Sequence, residues 1–106
     1  MAELNIAIAD DNRQTLEMLG EILESEKDYH VVGKADNGNE AYNMILRTKP
    51  DVVLLDIVMP GMDGISVMEK VKNNEEFKEN TSFIMVTAAS SENLTADAFK
   101  LGASYY

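Results

Sequence analysis

Residues 51–56 read DVVLLD, and the four apolar residues between the acids do not alternate with polar ones. A strand with no polar face must be covered on both sides, and that situation belongs to parallel sheets flanked by helices. The rest of the chain fits such a sheet. Asn5 to Asp10, NIAIAD, is a short apolar run ending in acid and predicts a strand. From Asn12 to about Glu26, Leu16, Leu19 and Leu23 recur at helical spacing, with Met18 and Ile22 widening the stripe. His30 to Ala35 predicts a second strand, and Asn37-Gly38 breaks it. Asn39 to Lys49 predicts a helix with Ala41, Met44 and Ile45 inward, stopped by Pro50.

The pattern continues after the DVVLLD strand. Pro60-Gly61 marks a turn, and Asp63 or its neighbour caps a short helix from Ile65 to about Lys72. Ser82 to Thr87 predicts a fourth strand. A helix opens at Ser90–Glu92 and runs to about Leu101, where Gly102 stops it, and Tyr105-Tyr106 begins a fifth strand. Strand and helix therefore alternate through one domain. The expected fold is an α/β three-layer sandwich with right-handed crossovers, its site at the carboxyl ends of the strands.

Composition narrows the function classes. Nineteen acidic residues against nine basic ones give a net charge of −10, the wrong sign for a nucleic-acid surface. An acidic domain attracts divalent cations or basic partner surfaces, although solubility alone also explains the charge. There are no cysteines, hence no disulfides and no thiolate metal site. No apolar run approaches a membrane span, and the acidic start MAELNIAIAD does not read as a signal peptide. A cytoplasmic location is the expectation.

Three carboxylates carry the chemistry. Asp10 and Asp11 end strand 1, and Asp56 ends strand 3. If these strands are neighbours, the acids meet, and two charges about 6 Å apart repel by about 3 kcal/mol at an effective dielectric near 20. A hard divalent cation removes that cost. Mg²⁺ uses one or two carboxylates, keeps several waters and accepts a phosphate oxygen. Thr87, at the end of strand 4, adds a hydroxyl able to donate to a group attached to Asp56. The conjunction predicts Asp56 as a carboxylate nucleophile beside Mg²⁺. Each part has a plainer reading. Asp10-Asp11 complements a helix N-terminus, Asp56 merely ends a strand before Pro-Gly, and Thr87 is an ordinary strand-end residue. His30 reads as structural, and most of the seven methionines as core filling. No glycine-rich phosphate loop follows strand 1, which argues against a flavin or dinucleotide domain.

The motifs IAIADDN at 6–12, VVLLDIVMPGMDG at 52–64, IMVTA at 84–88 and LGASYY at 101–106 together resemble response-regulator receiver domains of two-component phosphorelays. The resemblance spans essentially all 106 residues. It implies a flavodoxin-like sheet of order 2-1-3-4-5. It also implies that Asp56 accepts a phosphoryl group from a histidine kinase or histidine phosphotransferase. Asp10 and Asp11 would organise Mg²⁺ (Mn²⁺ or Ca²⁺ as substitutes), Asp11 as the direct ligand, with the backbone carbonyl of Val58 assisting. Thr87 would contact the phosphoryl oxygens, and Tyr106 matches the aromatic whose rotation accompanies switching. Helix 4 and strand 5 would report the change, and helix 1 would meet the donor. Neither nucleic acid nor membrane is expected as a direct partner. A phosphatase, and dimerisation on phosphorylation or by tail exchange, are.

The family also places a lysine and proline beyond Tyr106, and then a fifth helix. The expectation for residues 1–106 is therefore a receiver domain with strand 5 truncated, helix 5 absent and no output domain. Such a chain is a fragment, continues beyond these residues, or exchanges its tail with another copy. Two positions after Asp56 and Thr87 stand Val58 and Ala89, neither able to orient an attacking water. That predicts slow loss of the phosphoryl group. The rival readings are a Mg²⁺-dependent aspartyl-phosphate phosphohydrolase, disfavoured because Val58 stands where a second acid would serve, and an inert receiver-like binding module.

Overall fold

The structure, a computed structural model, describes residues 3–77, 80–86 and 104–105. The elements in chain order are β1 (Leu4–Ala9), α1 (Arg13–Glu24), β2 (Tyr29–Ala35), α2 (Gly38–Thr48), β3 (Val52–Asp56), α3 (Gly64–Lys72), β4 (Ser82–Val86) and β5 (Ser104–Tyr105). All strand pairs are parallel, in the order β2-β1-β3-β4-β5. The expected helix between Ser90–Glu92 and Leu101, and the residues Thr87, Ala89 and Tyr106, lie outside the described residues.

Topology decides which helix covers which face. From β1 the chain steps outward to β2 through α1, then reverses and passes β1 to reach β3 and β4. Right-handed crossovers taken in opposite directions put their helices on opposite faces. The packing shows this division. Ile6, Ile8, Leu16, Leu19, Leu23, Val52 and Leu54 form one cluster, under α1. Ala7, Ala9, Val53, Leu55, Phe83 and Met85 pack with Ala41, Met44, Ile45, Val67, Met68 and Val71 of α2 and α3 on the other face. Val53 and Leu55 are fully buried, whereas Val52 and Leu54 are partly covered. The non-alternating run thus has apolar neighbours on both faces.

One expectation about the core fails. Met18 and Ile22 do not widen the buried stripe of α1; they are 53% and 56% exposed. At about 100° per residue, Leu16, Gly20 and Leu23 share the sheet-facing side of the helix, and Met18 and Ile22 fall well round from it. A second difference concerns the end of α2. Lys49, not Pro50, terminates it, in the left-handed conformation (φ 48°), with its N–H donating to the Ile45 carbonyl.

Each of these three helices starts just beyond a strand's carboxyl end, and each carries a side-chain cap. Asn12 accepts from Thr15 N–H (3.0 Å), Asn37 from Glu40 N–H (2.9 Å), and Asp63 from Ser66 N–H (2.7 Å). The positive ends of α1, α2 and α3 therefore gather at the edge of the sheet where the acids lie.

Candidate functional site

Strand order reverses at β1, and β3 runs beside it with Ala9 opposite Leu55. The residues that follow each strand end meet in the resulting crevice. Asp10 extends β1 by one bond, its N–H donating to Ala35 O at 3.0 Å. Its Oδ1 accepts the Asn12 N–H at 2.8 Å, and the residue is 8% exposed. Asp11 is exposed. Asp56 closes β3 in register with Val86 of β4, and its Oδ1 accepts the Val58 N–H at 3.2 Å.

Asp10, Asp11 and Asp56 each place a carboxylate oxygen within 4.8 Å of the others. At that separation two unit charges repel by about 3.5 kcal/mol at an effective dielectric near 20. Burial pushes the Asp56 carboxyl from 3.8 up to about 6. The Val58 N–H pulls it down, while the charges of Asp10 and Asp11 and a hydrogen bond with Asp11 add to the rise. Among the described residues, no ion pair involves these acids. The ion pairs among the described residues join Arg13 to Asp36 and Lys34 to Glu17, and His30 Nε2 lies 2.9 Å from Glu3. Three converging carboxylate oxygens fit a hard, oxygen-seeking divalent ion.

Two surface hollows among the described residues have other linings. One of about 400 Å³ lies between Lys34, Asn43 and Arg47, and one of about 360 Å³ between Val71, Phe77 and Phe83. Neither of these two is lined by Asp10, Asp11 or Asp56.

Residues 6–106 match the response regulator receiver domain family. The chain belongs to that family. Solved receivers agree in fold. The signal receiver domain of the response regulator NarL from Mycobacterium tuberculosis superposes with a TM-score of 0.89 at 29% identity, covering 99% of this chain and 83% of that one. The response regulator domain of Thermotoga maritima CheB gives 0.87 at 30% identity, covering 98% and 77%. The Borrelia burgdorferi CheX-CheY-BeF3-Mg²⁺ complex gives 0.85 at 32% identity, again covering 98% and 77%. Receiver domains are regulatory switches of two-component systems, bind Mg²⁺ through acidic residues, and work with histidine kinases and phosphatases. Among the described residues, no helix is long and apolar enough to cross a membrane.

Of the residues singled out from sequence, Asp10, Asp11 and Asp56 come together, and the Val58 N–H donates to Asp56. Asp10 does not cap α1; Asn12 does, and the Asp10 carboxylate is tied to the Asn12 N–H instead. Thr87 and Tyr106 lie outside the described residues. His30 is exposed beside Glu3, 2.9 Å from its carboxylate. Sequence reasoning missed the Arg13–Asp36 pair (3.0 Å), which bridges the start of α1 and the end of β2. It also missed the contact between Gly38 and the loop after Asp56; the Asn37-Gly38 pair carried the signal but read only as a strand break.

Proposed function

We propose that this chain is the phosphoacceptor receiver of a phosphorelay, with Asp56 as the acceptor. The convergence of three carboxylate oxygens within 4.8 Å at the end of β1 and β3 carries this reading. An Asp56 oxygen attacks the phosphorus of a phosphohistidine on a kinase or phosphotransferase. The P–O bond forms as the P–N bond breaks, and the departing imidazole nitrogen keeps the electron pair. Asp10, Asp11 and Asp56, with the Val58 carbonyl, would hold Mg²⁺, which supplies charge neutralisation for the incoming phosphoryl oxygens when bound. The Val58 N–H fixes one Asp56 oxygen, leaving the carboxylate oriented at its strand end. Thr87 contacts the phosphoryl group, and Tyr106 with the helix 4 and strand 5 face passes the change to an output, here transcription. ADDN, DIVMPGMDG and LGASYY are similar to motifs in the receiver of a sporulation transcription factor, stage 0 sporulation protein A, and on that likeness we place the switch in sporulation.

Slow dephosphorylation is part of the reading. Val58 is 54% exposed and has no group to orient water. The same observation weighs against a phosphohydrolase, which needs an acid or base there. Incubation with Mg²⁺ and acetyl phosphate tests the proposal. A lasting single phosphoryl group mapped to Asp56 is the expected result. Rapid turnover without an adduct would favour the phosphohydrolase, and no reaction the inert module.

A further inference from the structure

We infer that Gly38, in the first turn of α2, is a positioning residue for the loop that follows Asp56; the inference rests on the reading of Asp56 as phosphoacceptor. That loop, residues 57–63, is closed at its base by Gly64 N–H donating to Ile57 O at 2.8 Å. It bears the Val58 N–H that holds Asp56 and the Val58 carbonyl assigned to the metal. Its tip turns through Gly61 at φ 82° and leans on the start of α2. Gly38 N–H donates to Pro60 O at 3.3 Å. A Cβ on Gly38 would collide with the Met62 carbonyl oxygen and lie 2.6 Å from both the Met62 carbonyl carbon and Cβ. On the neighbouring side, the Asn39 side-chain nitrogen is 3.1 Å from where a Cβ on Gly61 would stand. The backbones of α2 and the loop are thus in direct contact, and only a residue without a side chain permits it.

The atoms in the way are the Met62 carbonyl group and its Cβ, not the far end of a flexible side chain. Relieving the contact at 2.6 Å to an ordinary carbon–carbon separation moves the loop or α2 by about 1 Å. A displacement of that size exceeds the roughly 0.5 Å within which a binding constellation stays productive. Gly38 touches neither ion nor phosphoryl group. It acts through Pro60 and Met62 on Val58, and through Val58 on the Asp56 oxygen and the metal-facing carbonyl.

Gly38→Ala tests this against Ile45→Val, a core truncation two turns further along α2. Both are measured for melting temperature, Mg²⁺ affinity by calorimetry, and the rate of phosphorylation by acetyl phosphate. Gly38→Ala should weaken Mg²⁺ binding by about tenfold or more, as outer supports of metal sites do, with a matching fall in rate. Ile45→Val should lose melting temperature and keep the wild-type affinity and rate. Wild-type affinity and rate in Gly38→Ala overturn the inference. If wild type binds Mg²⁺ but takes no phosphate on Asp56, the acceptor reading fails, and the tenfold loss of affinity in Gly38→Ala still supports the positioning role. If Gly38→Ala does not fold, the wild-type protein decides. Its Gly38 amide resonance should shift on Mg²⁺ titration with the same midpoint as that of Val58, and an unmoved Gly38 resonance overturns the inference.

Discussion

Replacing the acceptor should make the ion-free protein more stable. Asp56→Asn keeps the size of the side chain and an oxygen to accept the Val58 N–H, but removes one of three clustered charges. The carboxyl sits at about 6 against an ordinary 3.8. That is about two units, each worth about 1.4 kcal/mol, so the full cost of ionising Asp56 in the fold is about 3 kcal/mol. Asp56 is half-buried, and solvent screening reduces the figure to about 1–2 kcal/mol. For a domain of this size the gain is roughly 5–10 °C in melting temperature. The pH dependence follows from the direction of the shift. Because the folded value is raised, the cost is absent below the unfolded value of 3.8, grows as pH rises, and is complete above about 6. Thermal melts by circular dichroism in a chelator should therefore separate the two proteins near pH 8 and bring them together near pH 4. Added Mg²⁺ should raise wild type more than the variant and narrow the gap. A variant that melts below wild type near pH 8, or a gain that persists unchanged near pH 4, would refute the electrostatic argument.

Three other outcomes check the fold. Leu55→Ala, at a fully buried position of β3 beside the acceptor, should cost about 2–5 kcal/mol in urea unfolding, a large share of the roughly 5–15 kcal/mol typical of a domain. Lys49→Gly should raise stability by up to about 1 kcal/mol in the same assay, because glycine relieves the left-handed conformation that ends α2. Arg13→Ala should change unfolding by less than about 1 kcal/mol, since the Arg13 side chain is 75% exposed and its pair with Asp36 is solvated.

Much of this architecture was legible because it is written in local pattern. Leu16, Leu19 and Leu23 announce a helix by spacing, and VVLL announces a strand buried on both faces. The acids could be placed because each ends an apolar run, and strand ends are where such sheets gather their sites. Element limits moved by a residue or two where the cap identity was not separable from the helix itself, as with Asn12 and Gly38. Strand order was not legible from pattern; it came with the family resemblance. Three features were not read from local pattern. Asp10 and Asp11 differ in burial because of the direction each side chain takes at the end of β1. The exposure of Met18 and Ile22 follows from their place on the helix, well round from Leu16 and Leu23, but their apolar character masks it. The approach of Gly38 to Met62 joins backbones 24 positions apart, and no side-chain chemistry marks it.

The claim that organises the account is that Asp10, Asp11 and Asp56 share one divalent ion. Calorimetric titration of Mg²⁺ into the wild-type protein and into Asp11→Asn and Asp56→Asn addresses it directly. The account predicts one ion per chain for wild type and a loss of most of the affinity in each variant. Binding that survives both substitutions unchanged, or no binding by the folded wild-type protein, would contradict it.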